Sequence, residues 1–413
     1  MTRAHRVIIS GIGAITPIGS GVDGLWDGVL RGRSAVRSAT RFDASPFRSR
    51  LAAEINDFDP ENFMAPRRAR RLDRFSQFSV AASVQALADA HLTRRCEVVD
   101  SAGCYIGSAL GGVAFGEDQH RQFIREGLPR VSPTLALSVF GGAGPSNVAI
   151  ELGLHGPNLA NANSCASGLI AIGEAFRLVR DGQAPLMLAG GVESPLASLT
   201  FGSFALIKAM STANHEAYRA SRPFDAQRDG FVMGEGAAML VIESREHALA
   251  RNARIYAEIS GYATTNDAHD MLAPLPDGRE AARAMRLALA DAGLSPADVD
   301  YVNAHASSTP IGDRAEANAV QAVLGEHADR VPVSSTKGLY GHPLGASGAI
   351  ETAICALAMS CGFVPGSTNL TSPDADNTLR LIGPDGIRAQ PRVVLNNAFG
   401  FGGINAALVL TAA

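Results

Sequence analysis

The sequence predicts an α/β fold made of two related halves, and two observations carry that prediction. Short apolar strand patterns alternate with helical patterns along the 413 residues, which is the order of a layered strand–helix domain. One motif also recurs. Ala166-Ser-Gly168, with a helical stretch closed by Gly182, is echoed by Ala346-Ser-Gly348, with a stretch of the same length closed by Gly362. An apolar strand follows each echo, Leu186–Ala189 and Val393–Leu395, and each half finishes on another, Met239–Ile242 and Ala407–Leu410. Self-similarity at this scale implies a duplicated unit with a pseudo-twofold axis, not a solenoid. The expected halves are residues 1–250 and 251–413.

The first strand is Val7–Gly13, which ends in Gly-Ile-Gly before Thr16-Pro-Ile-Gly19. Those glycines read as turn residues, because a lone GxG lacks the rest of a dinucleotide fingerprint. A basic cluster, Arg67-Arg68-Ala-Arg70-Arg71, leads into an amphipathic helix through Val80, Val84 and Leu87. Cys104–Gly107 is the second strand and opens into Ser108-Ala-Leu110-Gly-Gly112. From Ala166 to Gly182, Leu169, Ile172, Phe176 and Val179 recur at helical spacing. Leu186–Gly191 and Gly236–Ile242 are further strands. The pattern then restarts: Ile255–Gly261 echoes Val7–Gly11, Pro276–Gly293 is helical and Val299–Asn303 is a strand.

The totals exclude several classes. The chain is 46% hydrophobic and 18% charged, which is a globular composition with ample core. No apolar run reaches about 18 residues, so no membrane span is expected. The start, Met1-Thr-Arg-Ala-His-Arg, runs into strand pattern at once and is not a secretory signal. Five scattered cysteines without CxxC fit a reducing cytoplasm and argue against a metal centre. A net charge of −4 gives no bulk reason to bind nucleic acid.

Chemistry concentrates at Asn161-Ala-Asn-Ser-Cys165-Ala-Ser-Gly168. A thiol among small residues at a helix N-terminus is accessible to a carbonyl. Unpaired N–H groups and the positive dipole end favour its thiolate there. A duplicated fold turns equivalent helix N-termini toward one centre. The second half carries Gly341-His342-Pro-Leu-Gly345 at that helix end, and Asn303-Ala-His305 after the preceding strand. One thiol and two imidazoles are therefore expected to meet.

These motifs resemble the β-ketoacyl-acyl-carrier-protein synthases of the Cys-His-His decarboxylating type, and most of all the elongating class II enzymes. The resemblance runs through Ser164-Cys165-Ala-Ser-Gly, Arg222-Pro-Phe-Asp225…Arg228-Asp-Gly230…Glu235-Gly, Asn303-Ala-His305, Ser335-Thr-Lys337…Gly341-His342…Glu351 and Asn397-Ala-Phe-Gly400-Phe401-Gly402-Gly403. It implies the thiolase fold, a five-layered αβαβα sandwich of two duplicated halves, working as a dimer. It implies that Cys165 accepts an acyl group from acyl carrier protein. Malonyl carrier protein is then decarboxylated, and His305 and His342 stabilise the enolate that extends the chain by two carbons. The backbone N–H groups of Cys165 and Phe401 form the oxyanion hole. Lys337 and Glu351 act around the histidines. Gly400, Phe401 and Gly402 form a gate, and Leu110 and Phe204 line the acyl pocket. Arg67, Arg70 and Lys208 meet the acidic carrier. No cofactor is implied beyond the phosphopantetheine that carries the substrates.

The chain departs from the family pattern at Ala306-Ser307 after the first histidine, at Ser164 and at Pro343. These departures place a type II polyketide or polyene pathway beside fatty-acid service. The expected partner is then a second copy or a chain-length factor. Two rival readings are a coenzyme A-dependent thiolase and a non-catalytic, length-setting subunit. A thiolase needs a second late cysteine, and Cys355 and Cys361 fall within and at the end of a helix pattern. Cys165 itself argues against the subunit.

Overall fold

The structure is a computed structural model describing residues 5–94 and 100–413; the first four residues and Cys96 lie outside the described residues. The first half contributes β1 (Val7–Thr16), β2 (Gly103–Gly107), β3 (Asn158–Asn161), β4 (Leu186–Glu193) and β5 (Gly236–Ser244), in the order β1-β5-β4-β2-β3. The second contributes β6 (Ala257–Asn266), β7 (Tyr301–Asn303), β8 (Pro332–Ser334), β9 (Arg380–Leu381), β10 (Val393–Gly400) and β11 (Ile404–Thr411), in the order β6-β11-β10-β7-β8-β9. The two orders correspond strand for strand, with β9 extra. β1 and β6 pair antiparallel at Val7↔Ile259, Ile8↔Glu258 and Ile9↔Ala257, so the pseudo-twofold axis passes between them. Even the irregularities repeat. The β1–β5 register shifts between Ile9 and Gly11, and the β6–β11 register between Ile259 and Gly261.

Helices cover both faces of each half-sheet. On the outside lie α1 (Arg74–Asp89) and α2 (Ala143–Leu152) in the first half, and α4 (Arg279–Asp291) and α5 (Pro310–Leu324) in the second. Between the sheets lie α3 (Ser167–Arg180) and α6 (Ser347–Cys361). Strand alternation explains the layering. Leu240 and Ile242 of β5 point to the centre, with Leu169 and Ile172 of α3 and Ile350 and Ile354 of α6. Met239 and Val241 point outward, with Phe78, Val80 and Leu87 of α1. In the second half Met285, Leu289 and Val320 of the outer helices meet Val302, Leu395 and Val409. The result is the expected five-layered αβαβα sandwich. The recurring Ala-Ser-Gly motif marks the crossing of the central helices: a Cβ on Gly348 would lie 2.7 Å from the Leu169 Cβ.

Two local expectations need correction, and one apolar stretch needs placing. Gly11 and Gly13 are not turn residues but lie inside β1. Added Cβ atoms there would sit 2.3 Å from the Ala86 carbonyl oxygen and 1.9 Å from that of Ala82, so these glycines let α1 lie close on the strand. The basic cluster does not run on into α1. Arg67 and Arg68 belong to a separate turn of helix, Pro66–Ala69, and Asp73 caps α1 by accepting from the N–H groups of Phe75 and Ser76. Finally, Leu344–Cys361 is long and apolar enough to cross a membrane by length and composition. Yet 89% of that stretch is buried within the fold, between the two sheets, as a core helix. Its Glu351, Ser347 and Thr352 interrupt any continuous apolar run.

Candidate active site

Cys165 sits in a 3₁₀ turn, Ser164–Ala166, that leads directly into α3. Ser164 takes a left-handed φ of 52°, and the Ser167 hydroxyl braces the turn by donating to the Ser164 carbonyl at 2.6 Å. The second half repeats the device. Leu344–Ala346 is a 3₁₀ turn leading into α6, Leu344 has φ 38°, and Gly345 takes the place of the cysteine. His342 hangs just ahead of that turn. Its backbone is pinned on both sides, donating to the Val232 carbonyl (2.7 Å) and accepting from Gly234 (3.0 Å). His305 follows β7, where buried Glu316 of α5 accepts from the N–H groups of His305 (2.9 Å) and Ala306 (2.7 Å).

The expected groups meet. His342 Nε2 lies 3.0 Å from Cys165 Sγ, and its Nδ1 lies 2.8 Å from the Ser347 hydroxyl. The rings of His305 and His342 stand nearly perpendicular with centroids 5.3 Å apart. Lys337, fully buried, donates to the His305 carbonyl (2.5 Å) and pairs with fully buried Glu351. The pair is thus a buried ion pair that also stands against His305.

Electrostatics here follow from burial. Both histidines are held well below the ordinary imidazole value, by burial first and then by the Lys337 charge, so both are neutral at pH 7. Burial also pushes the Cys165 thiol up to about 11, against the lowering effects of the Ser164 hydroxyl, Lys337 and the Phe401 N–H. Burial therefore opposes the thiolate that the helix N-terminus is expected to favour. A neutral imidazole nitrogen within hydrogen-bond reach of the sulfur is instead placed to take its proton as it attacks.

A cavity of about 370 Å³ opens onto Cys165, His305 and His342. Its wall includes Phe231, Leu344, Phe399, Gly400 and Phe401, and Lys208 stands at its rim. Leu110 and Phe204, expected to line the acyl pocket, do not line this cavity; Phe204 stacks on Phe401 at 6.3 Å and, with Leu110, packs in the apolar cluster that holds Cys165. Gly402 has a positive φ of 86°, a conformation that favours glycine. Gly400 serves differently, since a Cβ there would lie 3.0 Å from the Cys165 nitrogen. Cys355 is buried in α6 and Cys361 ends it; neither lines this cavity. Arg67 and Arg70 are exposed but also outside the cavity wall.

Sequence reasoning missed Glu316, Ser347 and Glu193. Glu193 is fully buried and accepts from the N–H groups of Ala109, Leu110 and Gly345, tying the Leu110 loop to the turn after His342. The acidic residue ending an apolar strand was its one available signal.

Comparison with known proteins gives one consistent result. The chain matches the family models of the β-ketoacyl synthase N-terminal domain over residues 4–248 and C-terminal domain over 256–371. It is 44% identical to a 3-oxoacyl-[acyl-carrier-protein] synthase 2 of Synechocystis sp., over 98% of this chain and 97% of the relative. It is 42% identical to the Staphylococcus aureus protein of that name, over 99% of both. A β-ketoacyl synthase structure from Burkholderia phymatum superposes with TM-score 0.92 at 36% identity, covering 99% of this chain and all of that one. A type II polyketide ketosynthase, solved with its acyl-carrier protein and bound to the hexaketide, gives 0.90 at 32% with the same coverage. The ishigamide ketosynthase/chain length factor gives 0.91 at 33%, again with the same coverage.

Proposed function

The chain belongs to the β-ketoacyl synthase family, with the thiolase fold and the decarboxylative condensing activity of a 3-oxoacyl-acyl-carrier-protein synthase, and we propose how its own residues divide that work. Cys165 takes an acyl group from carrier-bound thioester. Its proton passes to His342 Nε2 as the sulfur–carbon bond forms, and then to the departing phosphopantetheine thiolate. Malonyl carrier protein follows. As its carboxylate leaves as carbon dioxide, the electron pair moves onto the thioester oxygen, and His305 and His342 donate to that enolate. The enolate carbon attacks the acyl-cysteine, whose oxyanion rests on the N–H groups of Cys165 and Phe401. The observation that carries this reading is the 3.0 Å approach of His342 Nε2 to Cys165 Sγ in a cavity that His305 shares.

Lys337, paired with Glu351, positions His305 through its carbonyl, and the lysine charge disfavours protonation of both histidines. Phe401 gates the pocket between Gly400 and Gly402, and Leu110 and Phe204 shape it. Lys208 at the rim and exposed Arg67 and Arg70 receive an acidic carrier protein, an inference supported by the ketosynthase structure solved with its carrier. The unit joins residues 1–250 and 251–413. No cofactor takes part beyond the carrier's phosphopantetheine. Free thiols at every described cysteine fit a cytoplasmic location.

The partner of the chain is a second copy or a chain-length factor. Large apolar side chains stand exposed together on neighbouring elements of the first half: Ile124 (69%), Leu128 (71%), Leu137 (67%) and Leu199 (73%). The edge strand β3 of the same half is also largely exposed. Such a face and a free sheet edge call for a covering subunit. The test of the catalytic reading is Cys165→Gln, whose amide imitates the acylated thiol. It should abolish condensation and still release carbon dioxide from malonyl carrier protein. A folded variant without that release would contradict this division of roles.

A further inference from the structure

The residue before the nucleophile is one of the chain's departures from the family pattern, and the duplicated fold shows what its hydroxyl is not for. In the second half Leu344 stands in the equivalent place. It makes the same left-handed entry into the same kind of 3₁₀ turn, with φ 38° against 52° at Ser164. The turn therefore does not require a hydroxyl. The Ser164 hydroxyl braces no backbone group either; among the described residues its hydrogen-bond partner is Cys165 Sγ, to which it donates at 3.8 Å. His342 Nε2 approaches the same sulfur at 3.0 Å. Gly400 leaves the hydroxyl its room, since a Cβ there would lie 3.3 Å from Ser164 Oγ and 3.1 Å from Ser164 Cβ.

We propose that Ser164 is a further catalytic residue, whose hydroxyl stabilises the negative charge that gathers on Cys165 Sγ as its proton leaves for His342. This rests on the catalytic reading above. A thiol sulfur is a weak acceptor, whereas a hydrogen bond to a charged acceptor is about twice as strong as a neutral one. The O–H···S contact therefore tightens along the step it assists, which is the condition for a contact to speed a reaction. Such help matters here. Burial holds the thiol high and the imidazole low, so the proton moves uphill. Among the groups that oppose burial at this sulfur, the Ser164 hydroxyl has the largest effect. Once the thioester has formed the sulfur carries no charge, and no bond to Ser164 forms or breaks at any stage.

The test removes the hydroxyl in two ways. Ser164→Ala and Ser164→Gly both lack it, but glycine adopts a φ of 52° freely and alanine does not. In both variants, alkylation of Cys165 by iodoacetamide should slow about three- to tenfold at every pH between roughly 7 and 9, because the thiolate fraction falls. Acylation from acyl carrier protein should slow by a similar factor. Malonyl decarboxylation in the Cys165→Gln background involves no sulfur, so adding Ser164→Ala there should cost much less than it costs acylation. Parental rates of alkylation and acylation in both variants would overturn the proposal. So would a loss in Ser164→Ala that Ser164→Gly does not share, which would trace the effect to backbone strain. Equal losses in acylation and decarboxylation would overturn it as well. Its failure is separable from failure of the catalytic reading. Alkylation and acylation of the parent that map to Cys165, beside parental behaviour of both Ser164 variants, remove only the role of Ser164.

Discussion

Cys165 and His342 lie 177 residues apart in the chain, yet Sγ and Nε2 are 3.0 Å apart, because equivalent turns of two duplicated halves face one another across the central helices. Burial raises the thiol and lowers the imidazole, so the resting pair is neutral rather than an ion pair.

That neutrality is measurable. Alkylation of Cys165 by iodoacetamide requires the thiolate. With the thiol pushed up to about 11, the alkylation rate should climb about tenfold per pH unit between roughly pH 7 and 9, since each unit multiplies the thiolate tenfold. A plateau already reached near pH 7 would mean a preformed thiolate–imidazolium pair.

The Lys337–Glu351 pair predicts a pH-dependent cost. Lys337→Met strands a carboxyl that burial already pushes up to about 7, even with the lysine opposing. Breaking one side of a buried pair costs about 3–5 kcal/mol. Without Lys337 the folded value rises further, so between the unfolded value and the folded one the native state binds more protons than the unfolded. Stability then falls as pH rises through that window. Thermal melts at pH 5.5 and 8 should show a larger deficit, relative to the parent, at pH 8. A deficit equal at both pH values would show that Glu351 carries no buried charge.

How much of this was legible in the sequence follows from the range of each interaction. The periodicity of Leu169, Ile172, Phe176 and Val179 is local, and it located α3 within one or two residues. The repeated Ala-Ser-Gly motif exposed the duplication because both copies face the same helix crossing. The pairing of Cys165 with two histidines followed from symmetry and was recognisable from motifs. The partners of the buried anchors were not legible. Glu193 reaches Gly345 across 152 residues, and Glu316 reaches β10 at Asn397 across 81, and only the place of Glu193 at the end of an apolar strand marks either of them. Ser347 was visible only as half of a repeat, and its divergence from Ser167 is a rotation of one hydroxyl. At the buried Cys165 sulfur, desolvation outweighs the hydrogen bonds and the Lys337 charge that favour the thiolate, and that burial is not written in the local sequence.

Phe401 gives the third prediction. Its ring stacks on Phe204, and its backbone N–H faces the sulfur between two glycines. Phe401→Ala should disturb the loop that supplies this donor, and loss of an oxyanion donor typically costs about 100- to 1,000-fold. Condensation should therefore fall well beyond self-acylation in pre-steady-state assays with one carrier substrate followed by malonyl carrier. If both steps fall in the same proportion, the ring is only a packing element.

The central claim is that Cys165 carries the acyl chain, and intact-mass spectrometry tests it most directly. The protein is mixed with acyl carrier protein bearing a short acyl thioester and measured before malonyl carrier protein is added. The account predicts a single acyl adduct, mapped by peptide analysis to Cys165, absent from Cys165→Ala and discharged on addition of malonyl carrier protein. A covalent acyl-enzyme that persists in Cys165→Ala would contradict it.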